Sequence, residues 1–301
     1  MHTPAIANDP GSEPWALITG SDSGIGRATA RAFALQGIQV IMACRTIERA
    51  ASMRASSPAA IRARLHPMQL DLADLAAIGP FASRVAGITD RIQTLVNNAG
   101  VMEPPFKLTT YGHESQFSIN HLSHFALTQA LMRLLQNAGA SRVVTMSSLS
   151  AAHGIISFEP PDPSRYDKAA SYRASKLANL LFALELDRRL RDQGSRVLSL
   201  AVHPGYARTR LQRHVPGVLR KSHAWLTRML RAQSAEDAAL CVLHAAQDPD
   251  LTGGAYIGPA GRGQLRGTPV TVAVPENAQD PGLAQRLWEH SAALLAKVHS
   301  I

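Results

Sequence analysis

Two cysteines in 301 residues, Cys44 and Cys241, are too few for a disulfide framework, and free thiols in a reducing compartment are the expectation. Aromatic residues make up only 5% of the chain, so any stacking surface for bases or sugars has to be local. No apolar run is long enough to cross a bilayer. The opening stretch MHTPAIANDPGSEPW lacks the apolar segment of a signal peptide, and the cytoplasm is the expected location. His113, His121, His124, His153 and His203 stand without an HExxH or a Cys/His cluster, so they read as packing or hydrogen-bonding residues and no metal is expected. The absence of a Gly-x-Ser-x-Gly elbow argues against a serine hydrolase.

What is present is apolar material, 46% of the residues against 18% charged, enough for a large core and unlike a disordered chain. Lys and Arg number 31 and Asp and Glu 22, a net charge of +9. Such a balance suits a nucleic acid or an acidic membrane surface, or a basic enzyme that attracts a phosphorylated cofactor. The arginines are spread over many elements, which favours the enzyme and no nucleic-acid partner. The densest basic group, Arg208, Arg210, Arg213, Arg220, Lys221, Arg228 and Arg231, can face solvent, a membrane or a ligand phosphate.

Short apolar runs alternate with helical periodicity. Strands are expected at Trp15–Thr19, Ile38–Cys44, Leu65–Leu70, Ile92–Val96, Arg142–Met146, Arg196–Val202 and Ala255–Ile257. Helices are expected at Ile25–Leu35, Thr46–Met53, Leu75–Val85, Glu114–Leu135 and Tyr172–Leu190, after the SAED box at Ser234–Asp237, and after Asp280–Pro281. Runs without polar alternation suit strands covered on both faces. The expected fold is α/β, a single Rossmann-like domain with a doubly wound parallel sheet and helices on both faces. Residues 1–13 read as a flexible lead-in, 14–301 as one domain, 208–232 as a helical lid insertion and 258–301 as a C-terminal extension, with 258–275 as Gly/Pro-rich loop.

After the first strand comes Thr19-Gly20-Ser21-Asp22-Ser23-Gly24-Ile25-Gly26. Gly20 suits a tight turn, Gly24 a close approach to a pyrophosphate, and Gly26 close helix–sheet packing; the helix that follows offers unpaired N–H groups to negative charge. The second strand ends in Cys44-Arg45 rather than in a carboxylate for a ribose. An arginine there offers a fork for a 2′-phosphate and points to NADP rather than NAD, with a solvated arginine at a helix start as the competing explanation. Asp71 suits an adenine amino group or a loop cap; Asn97-Asn98-Ala99-Gly100 suits a cofactor wall or a turn.

Tyr172 and Lys176 stand four apart, on one helical face. A lysine one turn away makes a phenolate less costly, so Tyr172 can exchange a proton with a carbonyl or alcohol oxygen. Ser148 can hold the same oxygen, and Asn120 can anchor a water or the Lys176 end of a relay. Taken singly, each is an ordinary surface pair, cap or exposed amide. Their common place, at the C-terminal ends of the expected strands, is what singles them out.

TGSDSGIG (19–26), DL (71–72), NNAG (97–100), Asn120 in FSINHLSHF, SS (147–148), YRASK (172–176) and HPG (203–205) occur in this order. The set resembles the short-chain dehydrogenase/reductase family. That resemblance implies catalysis by Asn120, Ser148, Tyr172 and Lys176. It also implies cofactor contacts from Gly20, Ser21, Ser23, Gly24, Ile25, Gly26, Arg45, Asp71, Leu72, Asn97, Ala99, Gly100, Tyr172, Lys176, Pro204, Gly205 and Thr209. Within the family, ACRTIERA, NHLSHFALT and HPGYARTRL look like the retinol-dehydrogenase-like group, which includes proteins similar to protochlorophyllide reductase. The segment YIGPAGRGQLRG and the last helix resemble bacterial soluble members.

The expected activity is NADP-dependent hydride transfer with a small carbonyl or alcohol substrate. Met102, Phe106, Ile155, Phe158 and Leu211 near the expected mouth make that substrate apolar or aromatic, with 150–170 and 205–232 as mobile cover. A regulatory NADP-binding protein, or a same-fold enzyme reducing a carbon–carbon double bond or epimerising its substrate, remains open. The resemblance implies a homodimer or homotetramer through the helices beginning near 114 and 172, although core packing explains their apolar faces equally well.

Overall fold

The structure is a computed structural model that describes residues 13–207 and 233–298. The expected lid at 208–232, with its basic group, Thr209 and Leu211, lies outside the described residues, as does nearly all of the N-terminal lead-in.

Among the described residues eight strands form one sheet: β1 Trp15–Thr19, β2 Gln39–Cys44, β3 Leu65–Gln69, β4 Thr94–Asn97, β5 Arg142–Met146, β6 Leu198–Val202, β7 Tyr256–Pro259 and β8 Pro269–Thr271. Their spatial order is β3-β2-β1-β4-β5-β6-β7-β8. Pairing is parallel from β3 through β7, and only the β7–β8 pair is antiparallel. The Gly/Pro content predicts loop over 258–275. Five of those residues pair at the sheet edge instead, Gly258 and Pro259 with Val270 and Pro269, and Thr271 with Ile257, and a Pro at an edge position removes no central ladder bond.

Adjacent residues of the central strands face opposite cores. Ile18, Met42, Val96 and Val144 join one, under helices α1 Gly24–Leu35 and α6 Ala235–Gln247. Leu17, Ile41, Leu95 and Val143 join the other, under α3 Ile78–Ala86, α4 Ser123–Asn137 and α5 Lys168–Asp192. This explains why the strands are apolar throughout: both faces are covered. The helix α2 Ile47–Ser56 follows β2. At the start of α6, Ser234 Oγ accepts the Asp237 N–H at 3.0 Å and donates to Asp237 Oδ2 at 2.8 Å, so the SAED stretch caps its helix. Among the described residues no helix is long and apolar enough to cross a membrane.

The terminal helix α7 Pro281–Val298 lies on α4 and α5. Trp288 stacks on Phe182 and meets Phe125 edge-on at 4.8 Å. The apolar faces of the two helices expected to join subunits are therefore covered by the chain itself here.

The strand order reverses at β1 and β4, where the connections run to opposite sides. Crevices at the carboxyl ends of strands open at such a switch point.

Candidate active site

A cleft of about 700 Å³ runs along the carboxyl ends of the strands. At one end it is bounded by Gly20, Asp22, Ser23, Gly24 and Ile25, by Arg45, Thr46 and Arg49, and by Asp71 and Leu72. At the other lie Met102, Glu103, Ser148, Tyr172 and Lys176, with Asn98, Ala99, Gly100 and the Pro204–Gly205 turn between.

The glycine turn is built from close contacts. Gly20 sits at φ +65, and a Cβ there would meet Ala99 Cα at 3.0 Å. Its N–H donates to Ala43 O at 2.8 Å. At Gly26 a Cβ would lie 2.5 Å from both Gly20 O and Asn98 Nδ2, so the first turn of α1 packs directly on the loop. α1 carries no acidic residue in its first turn, which leaves its positive end uncompensated by a side chain. A turn with no room for side chains, at a helix start that faces the cleft, fits the pyrophosphate of a dinucleotide. Ser21 and Gly26 shape this turn from beneath: Ser21 is fully buried, and neither bounds the cleft.

Arg45 is exposed at the rim beside Arg49, which makes an ion pair with Asp22 of the glycine turn at 3.7 Å. Asp71 bounds the cleft while its Oδ1 accepts the Ala73 N–H at 2.9 Å, so the loop-capping explanation holds alongside the ligand one.

Asn97 departs from expectation. Its side chain is buried on the interior face of β4 and donates to Thr128 Oγ1 at 3.0 Å. Alternation along the strand turns Asn98 to the cleft instead, where its Nδ2 donates to Thr19 O at 2.7 Å.

At the reactive end, Ser147 is buried and donates to Lys176 O at 2.8 Å, whereas Ser148 opens to the cleft. Ser148 Oγ accepts from Ser150 through N–H at 3.2 Å and hydroxyl at 3.0 Å, so its own proton is left to donate. Tyr172 forms a side-chain hydrogen bond with Ser148. Burial pushes the phenol up to about 12, helped by the Glu103 charge and opposed by that hydrogen bond. The lowering expected from Lys176 is not among the influences on this phenol. Lys176, buried, is pushed down to about 8, and its Nζ donates to Met146 O at 3.1 Å.

Asn120 does not bound the cleft. It is buried in a π-helical turn, Ser118–Leu122, just before α4. Its Oδ1 accepts the Val101 N–H at 2.7 Å, and its Nδ2 donates to Val101 O at 3.0 Å and Ser175 Oγ at 2.9 Å. The side chain thus fixes the cleft wall after Gly100. π turns are rare and gather at functional sites.

Glu103, which no sequence motif marks, adopts φ +50, an uncommon backbone for a residue with a Cβ. Its N–H donates to Gln116 Oε1 at 2.9 Å, and Gln116 Nε2 donates to Tyr166 Oη and Lys168 O, both at 2.9 Å. Nothing in the local sequence announces this clamp. Of the apolar residues expected at the mouth, only Met102 bounds the cleft among those described. Ile155 is 82% exposed, Phe158 packs on His290, and Phe106 meets Tyr166 edge-on.

The profile of the short chain dehydrogenase family matches residues 14–217. The chain belongs to that family. It is an oxidoreductase of a kind that transfers hydride with a nicotinamide dinucleotide. Human retinol dehydrogenase 13 is 36% identical over 97% of this chain and 87% of its own length. Mouse polyprenol dehydrogenase is 36% identical over 97% of this chain and 86% of its own. A crystal structure of an uncharacterized Mycobacterium paratuberculosis protein superposes with a TM-score of 0.77 at 36% identity, covering 94% of this chain and 93% of that one.

Proposed function

We infer that this short-chain dehydrogenase uses NADP and moves a hydride between the nicotinamide and the carbonyl or alcohol carbon of a small apolar substrate. The observation that carries the reading is one continuous cleft with Arg45 and the glycine turn at one end and Tyr172, Ser148 and Lys176 at the other. Gly20, Ser23, Gly24 and Ile25 would hold the pyrophosphate, Arg45 a 2′-phosphate, and Asp71 and Leu72 the adenine side; Ala99, Gly100, Pro204 and Gly205 would line the nicotinamide side. Ser21, Gly26 and Asn97 serve from beneath. When bound, the reduced dinucleotide supplies the hydride.

Tyr172, its phenol held protonated by burial, is then the acid that gives a proton to the carbonyl oxygen as the carbon is reduced. Ser148, whose hydroxyl proton serves the Tyr172 oxygen, can turn that proton to the substrate oxygen once one is seated between them. Lys176, the nearest cation on the same helix face, holds the nicotinamide ribose and favours return of a proton to Tyr172. Asn120 keeps the wall at Val101 in place. Met102 supports an apolar substrate; Phe106, Ile155 and Phe158, which do not bound the cleft, no longer do.

The test follows NADPH oxidation at the nicotinamide absorbance across aliphatic aldehydes, aromatic aldehydes, cyclic ketones and quinones, with NADH in parallel. Turnover of one class, lost in Tyr172→Phe and poorer with NADH, is the expected result. Cofactor binding without turnover of any class would favour the regulatory reading.

A further inference from the structure

The chemistry above makes no use of a fully buried imidazole that touches both ends of the site. His124 Nδ1 lies 2.9 Å from the backbone oxygen of Asn120, and its Nε2 lies 2.8 Å from Thr19 Oγ1. A carbonyl oxygen can only accept, so Nδ1 carries the proton. In the neutral ring Nε2 is then bare, and it accepts the Thr19 hydroxyl proton. The alternative acceptor for that proton, Val96 O, is farther away at 3.4 Å. With its proton directed to the ring, Thr19 Oγ1 accepts the backbone N–H groups of Asn98 and Ala99, each at 2.9 Å. The direction of each of these bonds follows from the first, and the Asn98 N–H is shared with Val96 O at 3.0 Å.

The ring and the Thr19 hydroxyl together therefore tie three segments that are far apart in the sequence. Thr19 is the last residue of β1 and precedes Gly20 of the glycine turn. Asn98 and Ala99 leave β4 and form the middle of the cleft. Asn120 sits in the π turn that fixes Val101. We propose that His124 is a positioning residue, locked as the neutral Nδ1–H tautomer, that holds the glycine turn and the Asn120 turn in one frame and so sets the spacing between the cofactor end and the reactive end.

Burial keeps the ring neutral, pushing it down to about 4 with the help of the Lys176 charge, against the pull of the Asn120 carbonyl. The other titratable group that faces it, His121, is itself pushed down to about 3 and adds no charge at neutral pH. An imidazolium would have two donors and no acceptor, and the bond from Thr19 would be lost.

The test has a structural arm and a kinetic arm, the second resting on the function proposed above. Ring ¹⁵N NMR of the cofactor-free protein, with His124 assigned by loss of its signals in His124→Gln, should show a protonated Nδ1 and a bare Nε2 that do not titrate between about pH 5.5 and 8. An Nε2–H tautomer, or an imidazolium forming near pH 6.5, overturns the proposal whether or not the enzyme turns over any substrate. Asparagine and glutamine are not equivalent replacements for the ring in this geometry. His124→Asn keeps a donor at the Nδ1 position for Asn120, and His124→Gln keeps an acceptor near the Nε2 position for Thr19. His124→Asn should therefore weaken NADPH binding about tenfold with little change in kcat, and His124→Gln should lower kcat about tenfold with affinity retained. Equal losses of affinity and kcat in both variants, following their loss of Tm, would mean a packing role and sink the proposal.

Discussion

Lys176 Nζ lies 5.9 Å from the centroid of the Tyr172 ring, on the same helix, yet the two groups are perturbed in opposite senses from their ordinary values. Burial pushes the phenol up to about 12 and the ammonium down to about 8. Between these limits Tyr172 keeps its proton while Lys176 loses its charge. The value of kcat/KM for NADPH reports groups of the free enzyme, so in the reductive direction it should be level from about pH 6 to 7.5 and fall above about 8. Lys176→Arg should lower the plateau and move that limb out of range. A limb unchanged in this variant would assign it to another group.

The same burial has a thermodynamic consequence with a definite sign. A lysine depressed from 10.5 to about 8 binds fewer protons folded than unfolded between those values, so its contribution to stability rises with pH across that window. At pH 7, below both, the full cost of burying the charge is present. Lys176→Met should abolish turnover and yet hold or raise the Tm at pH 7, with the gain vanishing toward pH 10. A lower Tm at pH 7 would mean that the bond to Met146 O outweighs the burial cost.

Arg45 and Arg49 stand together at the rim but have different surroundings. Arg49 makes an ion pair with Asp22 at 3.7 Å, while Arg45 is exposed beside the cleft. Charge-assisted hydrogen bonds to a 2′-phosphate contribute roughly 1.5–3 kcal/mol, so Arg45→Ala should reduce the preference for NADPH over NADH at least about tenfold. Arg49→Ala should weaken both cofactors more evenly, since it releases the glycine turn. Steady-state kcat/KM with each cofactor measures both. An unchanged preference in Arg45→Ala would reinstate the solvated arginine and remove the ground for NADP.

Gly26 and Gly79 make a matched pair of helical glycines. A Cβ at Gly26 would meet Gly20 O and Asn98 Nδ2 at 2.5 Å, whereas at Gly79 nothing lies within 4 Å. Gly79→Ala should stabilise by about 0.5–1 kcal/mol through helix propensity and leave NADPH binding untouched. Gly26→Ala should lower the Tm and weaken NADPH at least about tenfold, because the turn itself must shift. Thermal unfolding and a fluorescence titration separate the two. Wild-type affinity in Gly26→Ala would show that the turn gives way without cost.

How much of this was legible in the sequence depended on the range of the interaction. Strand positions came from runs such as Leu17–Ile18 and Val143–Val144, whose neighbours enter opposite cores. Tyr172 and Lys176 came from helical spacing, and Ser148 from its place after a strand. Asn97 and Asn98 are adjacent and identical, so which one faces the cleft depends on strand register, which only the assembled sheet fixes. The clamp of Glu103 by Gln116 and the pairing of Asp22 with Arg49 join elements distant in the chain, and β8 is too short for a periodic signal. The π turn at Asn120 leaves no mark in a pattern read at 3.6 residues per turn.

The last helix bears on assembly. Trp288 lies 5.9 Å from Phe182 with rings at 19°, meets Phe125 at 4.8 Å, and carries the Arg189 guanidinium 4.5 Å over its ring. The face it covers includes Phe182 of α5 and Phe125 of α4, which a subunit interface through these helices would need. Trp288→Ala should cost about 2–4 kcal/mol, from lost burial and the lost cation–π contact. It should also raise the apparent mass in sedimentation velocity, as the uncovered face finds a second copy. In the intact chain, hydrogen exchange at 123–137 and 168–192 should then be independent of protein concentration. Protection there that grows with concentration would mean that α7 yields its place to another subunit, and a homodimer or homotetramer through these helices would stand after all.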